Sequence, residues 1–335
     1  MKSLLLRSRK LHIFLLSLLA VDIVTMVMVF RKTLAHKSHL DTSQRAVISN
    51  LGMKPDAIVP LYADKDGVAV DVVLNGHKVR SLVDTGTATV IWPASLKLTS
   101  EKTELLHSIS PGDTYSFHSL STVKIGAVTL RHVPSLAYEY SKPPLPPHSL
   151  ISETTTLGNS AFADTVLAID TRNKYLYLYA DPAKVQHFTP PPDSLILPFQ
   201  RIMQDEKWYG LLSIPLILEG FDARAILDTG NSNMLWIGHS FFRRNLRQHP
   251  LTPATATTAF DTHKIWTAAD IHFQLKSIRN ARRVEGKTIA GIGVRPDIDG
   301  VDANVGIEAL RSAVVIINYP KQEIYLYYPD YVAPD

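Results

Sequence analysis

The sequence predicts an all-β protein built of two related lobes, preceded by one N-terminal membrane-spanning helix. Three observations carry that prediction. The tripeptide Asp-Thr-Gly occurs twice, at Asp84-Thr85-Gly86 and Asp228-Thr229-Gly230, each at the end of an apolar run and eight residues before a tryptophan, Trp92 or Trp236. Around both copies the chain reads as short runs of β-branched and aromatic residues bounded by turn residues. Before them lies one apolar stretch, residues 11–30, of about the 20 residues that a membrane helix needs.

At 335 residues the chain has room for two ordinary domains. Its formal charge of +4 is unevenly spread. Residues 1–37 carry seven of the 35 Lys and Arg and one of the 31 acidic residues, which leaves 28 basic and 30 acidic side chains for the rest. The body therefore has no basic surplus for a nucleic-acid footprint, and nucleic acid is not an expected partner. The absence of cysteine removes disulfides, thiolate metal sites and Cys nucleophiles.

Residues 1–32 read as a cytoplasmic tip and an uncleaved signal anchor. Basic residues flank the span on both sides, and the apolar run continues past Ala20, the one small-residue position suited to cleavage. Asp22 near its middle costs about 2.5–3.5 kcal/mol on insertion scales, which the surrounding Leu, Ile, Val and Met offset. The expected orientation puts the N-terminus in the cytoplasm and the body outside, on the periplasmic or extracellular side. Residues 33–60 read as a polar stalk.

The first lobe is expected over residues 61–180. Val68 to Leu74, then Asn75-Gly76, then Val79 to Val83 forms a hairpin signal, Asn-Gly being among the strongest short turns. Tyr115 to Ile125 and Val128 to Val133 form a second hairpin around Gly126, and Val166 to Ile169 with Tyr175 to Tyr179 close the lobe. The pattern then restarts. Asp84 set against Asp228 also matches Gly76 with Gly220 and Arg80 with Arg224; Gly158 set against Gly306 matches Asp170 with Asn318 and Tyr177-Leu178-Tyr179 with Tyr325-Leu326-Tyr327. Landmarks repeating at this spacing mean one structural unit used twice. Residues 181–199, with Pro190-Pro191-Pro192, read as the linker, and residues 200–335 as the second lobe.

An Asp ending a buried strand and followed by Thr-Gly sits in a tight loop. The Gly lets main chain turn close to the carboxylate, and the Thr hydroxyl can tie the loop to neighbouring backbone. Two such loops meeting across a pseudo-twofold axis would bring two carboxylates together. Like charges that close share a proton and titrate as a unit. One member can then take a proton from water while the other polarises a carbonyl, without a metal or a covalent intermediate.

These two loops, each followed by an apolar run and later by a hydrophobic-hydrophobic-Gly element, resemble those of the aspartic proteases. The arrangement of two copies on one chain is similar to the bilobal pepsins, and the compact lobes to retropepsin protomers joined in tandem. The resemblance spans roughly residues 60–330, and Asp228 to Trp236 is especially like the pepsin signature. It implies an aspartic endopeptidase acting on peptide or protein substrates, active as a monomer, with no cofactor and no metal. It implies Asp84 and Asp228 as the catalytic dyad, Thr85 and Thr229 as a reciprocal grip, and Gly86 and Gly230 as the floor of a cleft between the lobes. Thr87 would bond the outer oxygen of Asp84. Asn231 stands where the family has Ser, Thr or Ala, and its amide can donate to Asp228. Tyr115, in the hairpin from Tyr115 to Val133, is the candidate flap tyrosine.

Other signals are weaker. Asp297, Asp299 and Asp302 around Gly300 lack EF-hand spacing and read as a solvated turn. Gly291-Ile292-Gly293 lacks the third Gly of a dinucleotide site, and the thirteen His show no zinc-ligand spacing. Trp92 and Trp236 read as core residues beneath the loops. The alternative function is a catalytically silent protease-like protein that binds peptides or inhibits at the membrane. It needs neither carboxylate, whereas both triplets are intact. Glycoside hydrolysis fits less well, because its carboxylates stand about 5–9.5 Å apart in dissimilar settings.

Overall fold

A computed structural model of the chain describes residues 51–64, 67–99, 101–107, 114–139, 155–202, 210–231, 235–257, 262–279, 283–293 and 300–328. The expected membrane anchor, residues 11–30, lies outside the described residues. Among the described residues no helix is long and apolar enough to cross a membrane.

The described chain is predominantly β. It begins with β1 (Ala57–Pro60). The first lobe follows with β2 (Tyr62–Asp64), β3 (Gly67–Leu74), β4 (His77–Val83), β5 (Val90–Pro93), β6 (Glu101–His107), β7 (Thr114–Ile125), β8 (Val128–Glu139) and β9 (Thr156–Leu157). Strands β10 (Val166–Asp170) and β11 (Tyr175–Tyr179) end it, and helix α1 (Pro182–His187) leads to β12 (Leu195–Pro198). The second lobe holds β13 (Gln200–Ile202), β14 (Leu211–Leu218), β15 (Phe221–Asp228), β16 (Leu235–Ile237), β17 (Leu251–Thr257), β18 (Thr262–Lys276), β19 (Arg283–Ile292) and β20 (Ala303–Gly306). Strands β21 (Val314–Asn318) and β22 (Glu323–Tyr327) complete the order.

Alternation sets the strands of each lobe. In β3, Val68, Val70, Val72 and Leu74 point into the core and Asp71 points out; in β4, Val79, Ser81 and Val83 are buried. The turn between them places Asn75 at φ 43° and Gly76 at φ 91°, the two left-handed residues that a tight hairpin needs. Leu74 then pairs with His77, as the sequence predicts for this hairpin.

The duplication is complete at the level of topology. The first lobe sheet runs β2-β3-β4-β9-β5-β8-β7-β6, and the second runs β13-β14-β15-β20-β16-β19-β18-β17. Adding eleven to each strand number converts one into the other. Each sheet also closes on itself through an extra pairing, β3 with β7 and β14 with β18. The aligned residues Asp170 and Asn318 do the same structural job. The Asp170 carboxylate accepts from Asn173 N at 2.9 Å, and the Asn318 side-chain oxygen from Lys321 N at 3.1 Å.

Both lobes feed a third sheet, ordered β1-β11-β10-β21-β22-β12. Its centre is the antiparallel pair β10·β21, in which Ala168 faces Ile316. Two boundaries expected from sequence change here. Residues 57–60 belong to this sheet and not to a stalk: β1 pairs with β11, and Ala57 and Val59 are buried. Residues 181–199 are likewise built in rather than a free linker. Asp181 caps α1, its carboxylate accepting from Ala183 N at 2.8 Å with Pro182 at the first turn. After the prolines, β12 pairs with β22 and buries Leu195 and Leu197. A four-residue apolar strand repays the cost of ordering this segment, which its proline content hides in the sequence.

Candidate active site

Asp84 follows β4 directly, and Asp228 is the last residue of β15. Each strand is flanked in parallel by the short strand that carries the lobe's later glycine: Val83 pairs with Leu157, and Asp228 with Gly306. Asp84 N donates to Leu157 O at 2.9 Å, which fixes where the loop leaves the sheet.

The two loops grip one another. Thr85 N donates to Thr229 Oγ1 and Thr229 N to Thr85 Oγ1, both at 3.1 Å. The hydroxyls pass the link onward, Thr85 Oγ1 to Leu227 O at 2.8 Å and Thr229 Oγ1 to Val83 O at 2.7 Å. Both threonines are fully buried, so all four bonds are made away from water.

Each glycine N–H donates to the carboxylate of its own loop, Gly86 N to Asp84 Oδ1 at 2.7 Å and Gly230 N to Asp228 Oδ1 at 3.1 Å. Each glycine also lies against the carboxylate of the other loop. A Cβ on Gly86 would stand 2.2 Å from Asp228 Cγ, and one on Gly230 would stand 2.4 Å from Asp84 Cγ. One carbon–carbon bond of about 1.5 Å therefore separates those positions from the glycine Cα atoms, so each carboxyl group sits within about 4 Å of the opposite loop. Only residues without a Cβ allow this approach. Each carboxyl group therefore lies beside the loop that carries the other aspartate.

The surroundings of the two carboxylates differ. Asp228 is 1% exposed, whereas Asp84 is half-buried. Asn304 of β20 donates from Nδ2 to Asp228 Oδ2 at 2.6 Å. Asn231 Nδ2 donates to Asn304 Oδ1 at 2.8 Å, and Trp236 Nε1 donates to Asn231 Oδ1 at 3.1 Å. On the other side Asn159, fully buried, holds the first loop from behind. Its Nδ2 donates to Thr85 O at 2.9 Å, Thr87 O at 3.0 Å and Gly210 O at 3.3 Å, and its Oδ1 accepts from Tyr319 Oη at 3.0 Å.

The structure thus brings Asp84, Thr85, Gly86, Asp228, Thr229 and Gly230 together, and it departs from three finer expectations. Among the described residues, Thr87 makes its hydrogen bonds through main chain: its carbonyl accepts from Asn159 N and Nδ2. Its methyl group faces Gly158. Asn231 reaches Asp228 through Asn304. Trp236 is not simply a core residue, because its indole N–H belongs to this chain of bonds and the ring is half-buried.

The hairpin from Tyr115 to Val133 forms, but its turn is misplaced for a flap. A Cβ at Gly126 would stand 2.8 Å from Val59 Cγ1, so the closed end of the hairpin packs on β1 in the shared sheet. Tyr115 lies at the other end of β7, opposite Leu106 of β6 and Tyr138 of β8. Its side chain lies outside the described set. The residue in the same register of the second lobe is Trp266, opposite Ile292 and 48% exposed.

Asn159 and Asn304 are the residues that sequence reasoning misses. Each is a lone amide beside apolar residues: Asn159 opens the short 3-10 turn after Gly158, and Asn304 lies in β20 two residues before Gly306. A buried amide needs partners, and that was the available signal.

No protein-family profile matches the chain, and no curated protein matches it. Among solved structures it is similar to the crystal structure of the aspartic proteinase from Irpex lacteus. The identity is 11% and the TM-score 0.48, over 82% of this chain and 97% of that one.

Proposed function

We propose that this chain is an aspartic endopeptidase that hydrolyses peptide bonds with a water activated between Asp84 and Asp228. One observation carries the reading: each carboxylate lies against the glycine of the opposite loop, held there by the reciprocal Thr85–Thr229 bonds. Two carboxyl groups so placed hold one proton between them.

The chemistry follows from that pairing. The ionised carboxylate takes a proton from water as the water oxygen attacks the peptide carbonyl carbon, and the protonated partner gives its proton to the carbonyl oxygen. A tetrahedral diol results. The carboxyl that took the water proton then gives it to the amide nitrogen while its partner takes a proton from a diol hydroxyl. The C–N bond breaks to leave a carboxylic acid and an amine, and the pair returns to its starting state. The buried grip keeps the two carboxylates in register throughout, which is the positioning that such a mechanism needs.

The same reading takes the protein as a monomer, since both aspartates lie on one chain, and as a single-pass protein held by residues 11–30 with its body outside the cytoplasm. The apolar run and its flanking basic residues support that placement. Its substrates are then peptides or unfolded proteins near a membrane surface.

The test is hydrolysis of an unstructured protein between about pH 3 and 7, by wild type and by Asp84→Asn and Asp228→Asn. Each variant is expected to lose about 10²–10⁴-fold in rate, the usual worth of a general acid or base. Wild-type rate in either variant sinks the dyad assignment.

A further inference from the structure

We propose that Asn304 is a positioning residue, the last member of a one-way hydrogen-bond chain that starts at the Trp236 indole and fixes the orientation of the Asp228 carboxyl group. The proposal rests on the endopeptidase reading for its catalytic meaning, though not for the chain itself.

The direction of the chain is forced from one end. An indole Nε1–H can only donate. Its partner in Asn231 is therefore Oδ1, and the Asn231 atom left to face Asn304 is Nδ2, a donor. Asn304 must meet it with Oδ1, which turns its own Nδ2 towards Asp228 Oδ2. Rotating either amide by half a turn sets N–H against N–H or oxygen against oxygen. The carboxylate end thus has no choice of role. Asp228 Oδ2 accepts from Asn304 and Oδ1 accepts from Gly230 N, so a donor meets each oxygen of this carboxyl group.

Among the described residues this arrangement is found in the second lobe and not in the first. Trp92, the counterpart of Trp236, is 3% exposed, and among the described residues its Nε1 has no hydrogen-bond partner. Thr87 stands where the second lobe has Asn231, and Thr156 where it has Asn304. A hydroxyl is too short to replace an amide that bonds at both ends. The two Asp-Thr-Gly loops are therefore near-equivalent in themselves, and the chain behind the second one breaks the symmetry. Asn304 is 5% exposed, so its bonds are made in a dry setting where each is worth more and a broken one costs more. Its bond to a carboxylate is of the stronger, charge-assisted kind.

Among the described residues, charged groups on neighbouring elements include Asp84 on the facing loop, Arg224 on the same strand, Glu308 just after β20, which pairs with Arg311, and Asp302 just before it, which accepts from Arg224 N and pairs with Arg244. Any test must separate Asp228 from these.

The four tryptophans give four indole N–H signals in a ¹⁵N–¹H spectrum, assignable by Trp→Phe substitution. The Trp236 signal is expected to move as the pair titrates between about pH 3 and 7. The movement should survive Asp84→Asn and disappear in Asp228→Asn and in Asn304→Leu. The Trp92 signal should respond alike in wild type and Asn304→Leu. Should Asn304→Leu not fold, Asn231→Leu breaks the same chain in the middle and must also abolish the movement. A Trp236 signal that ignores pH in wild type, or that still follows it in Asn304→Leu or Asn231→Leu, overturns the proposal.

This readout needs no turnover, so it decides the chain even if peptide hydrolysis is not observed. With a peptide substrate, Asn304→Leu should lower kcat by about tenfold or more, about 1.4 kcal/mol, move the pH–rate profile, and leave KM within about twofold. Asn304→Leu with an unmoved pH–rate profile, alongside inactive Asp228→Asn, overturns the positioning role while leaving the endopeptidase reading intact.

Discussion

Thr85 and Thr229, 144 residues apart, each donate a main-chain N–H to the other's hydroxyl at 3.1 Å. Each hydroxyl then donates across the pseudo-twofold axis, so neither loop is complete without the other. Replacing Thr85 with Val keeps the shape but strands Thr229 N and Leu227 O. A stranded buried group costs about 1–3 kcal/mol. Thr85→Val and Thr229→Val should each lower stability by at least that much in urea unfolding, whereas Thr→Ser at either site should cost less.

Gly86→Ala offers a test of cross-lobe geometry. The new methyl would stand 2.2 Å from Asp228 Cγ, so a change in the first loop displaces the second loop's carboxylate. Misplacing a reacting group by about 1 Å costs on the order of 10²-fold. Peptidase kcat/KM is expected to fall by at least that factor in Gly86→Ala, and likewise in Gly230→Ala through Asp84.

Asn159 ties the first loop to the second lobe and to Tyr319. Asn159→Leu removes the donor to Thr85 O, Thr87 O and Gly210 O and the acceptor for Tyr319 Oη. Several buried groups lose partners at once, so the loss should reach or pass the upper end of about 1–3 kcal/mol. Tyr319→Phe removes one of these bonds and should cost less. Thermal or urea unfolding of both variants checks the order.

Asp56 joins the start of the described chain to the shared sheet. Burial by itself raises its pKa, but a hydrogen bond from Lys184, those from Asp181 N and Ala180 N, and the Lys184 charge outweigh it and hold the carboxyl below its ordinary value. A carboxyl whose folded pKa is depressed stabilises the fold above its unfolded value of about 3.9. That contribution is lost as pH falls through the lower folded value. Asp56→Asn should therefore be less stable than wild type at pH 7, and the gap should narrow below about pH 4. A gap that stays constant into acid would show that the charge is not what matters.

Much of this molecule was legible in the sequence because its halves repeat. The Asp-Thr-Gly triplets, the Asn75-Gly76 turn and the closing Tyr-Leu-Tyr strands are local patterns, and each appears in the structure where its spacing places it. Pairings made at long range were hidden. Ala57 to Pro60 look like stalk until Tyr175 to Tyr179, over a hundred residues later, supply a partner strand. Leu195 to Pro198 are masked by the prolines before them and find β22 far downstream. The site shows the same division. The dyad loops announce themselves by their glycines and threonines, but Asn304 lies 76 residues from the carboxylate it bonds, and periodicity cannot report a contact of that kind. The hairpin from Tyr115 to Val133 forms where its turn residues place it, and its Gly126 end lies against Val59, a partner that local pattern does not reveal.

The palindromic order of the six-stranded sheet makes the chain divisible. Its central pair, β10 with β21, and the threonine bonds join complete sets of eleven strands, while β1 and β12 each stay with their own half. The covalent connection between Phe188 and Ser194 crosses no strand pairing. Two polypeptides ending and beginning in that stretch, expressed together, should reassemble into a working whole, and each alone would expose an unpaired central strand and an unanswered threonine.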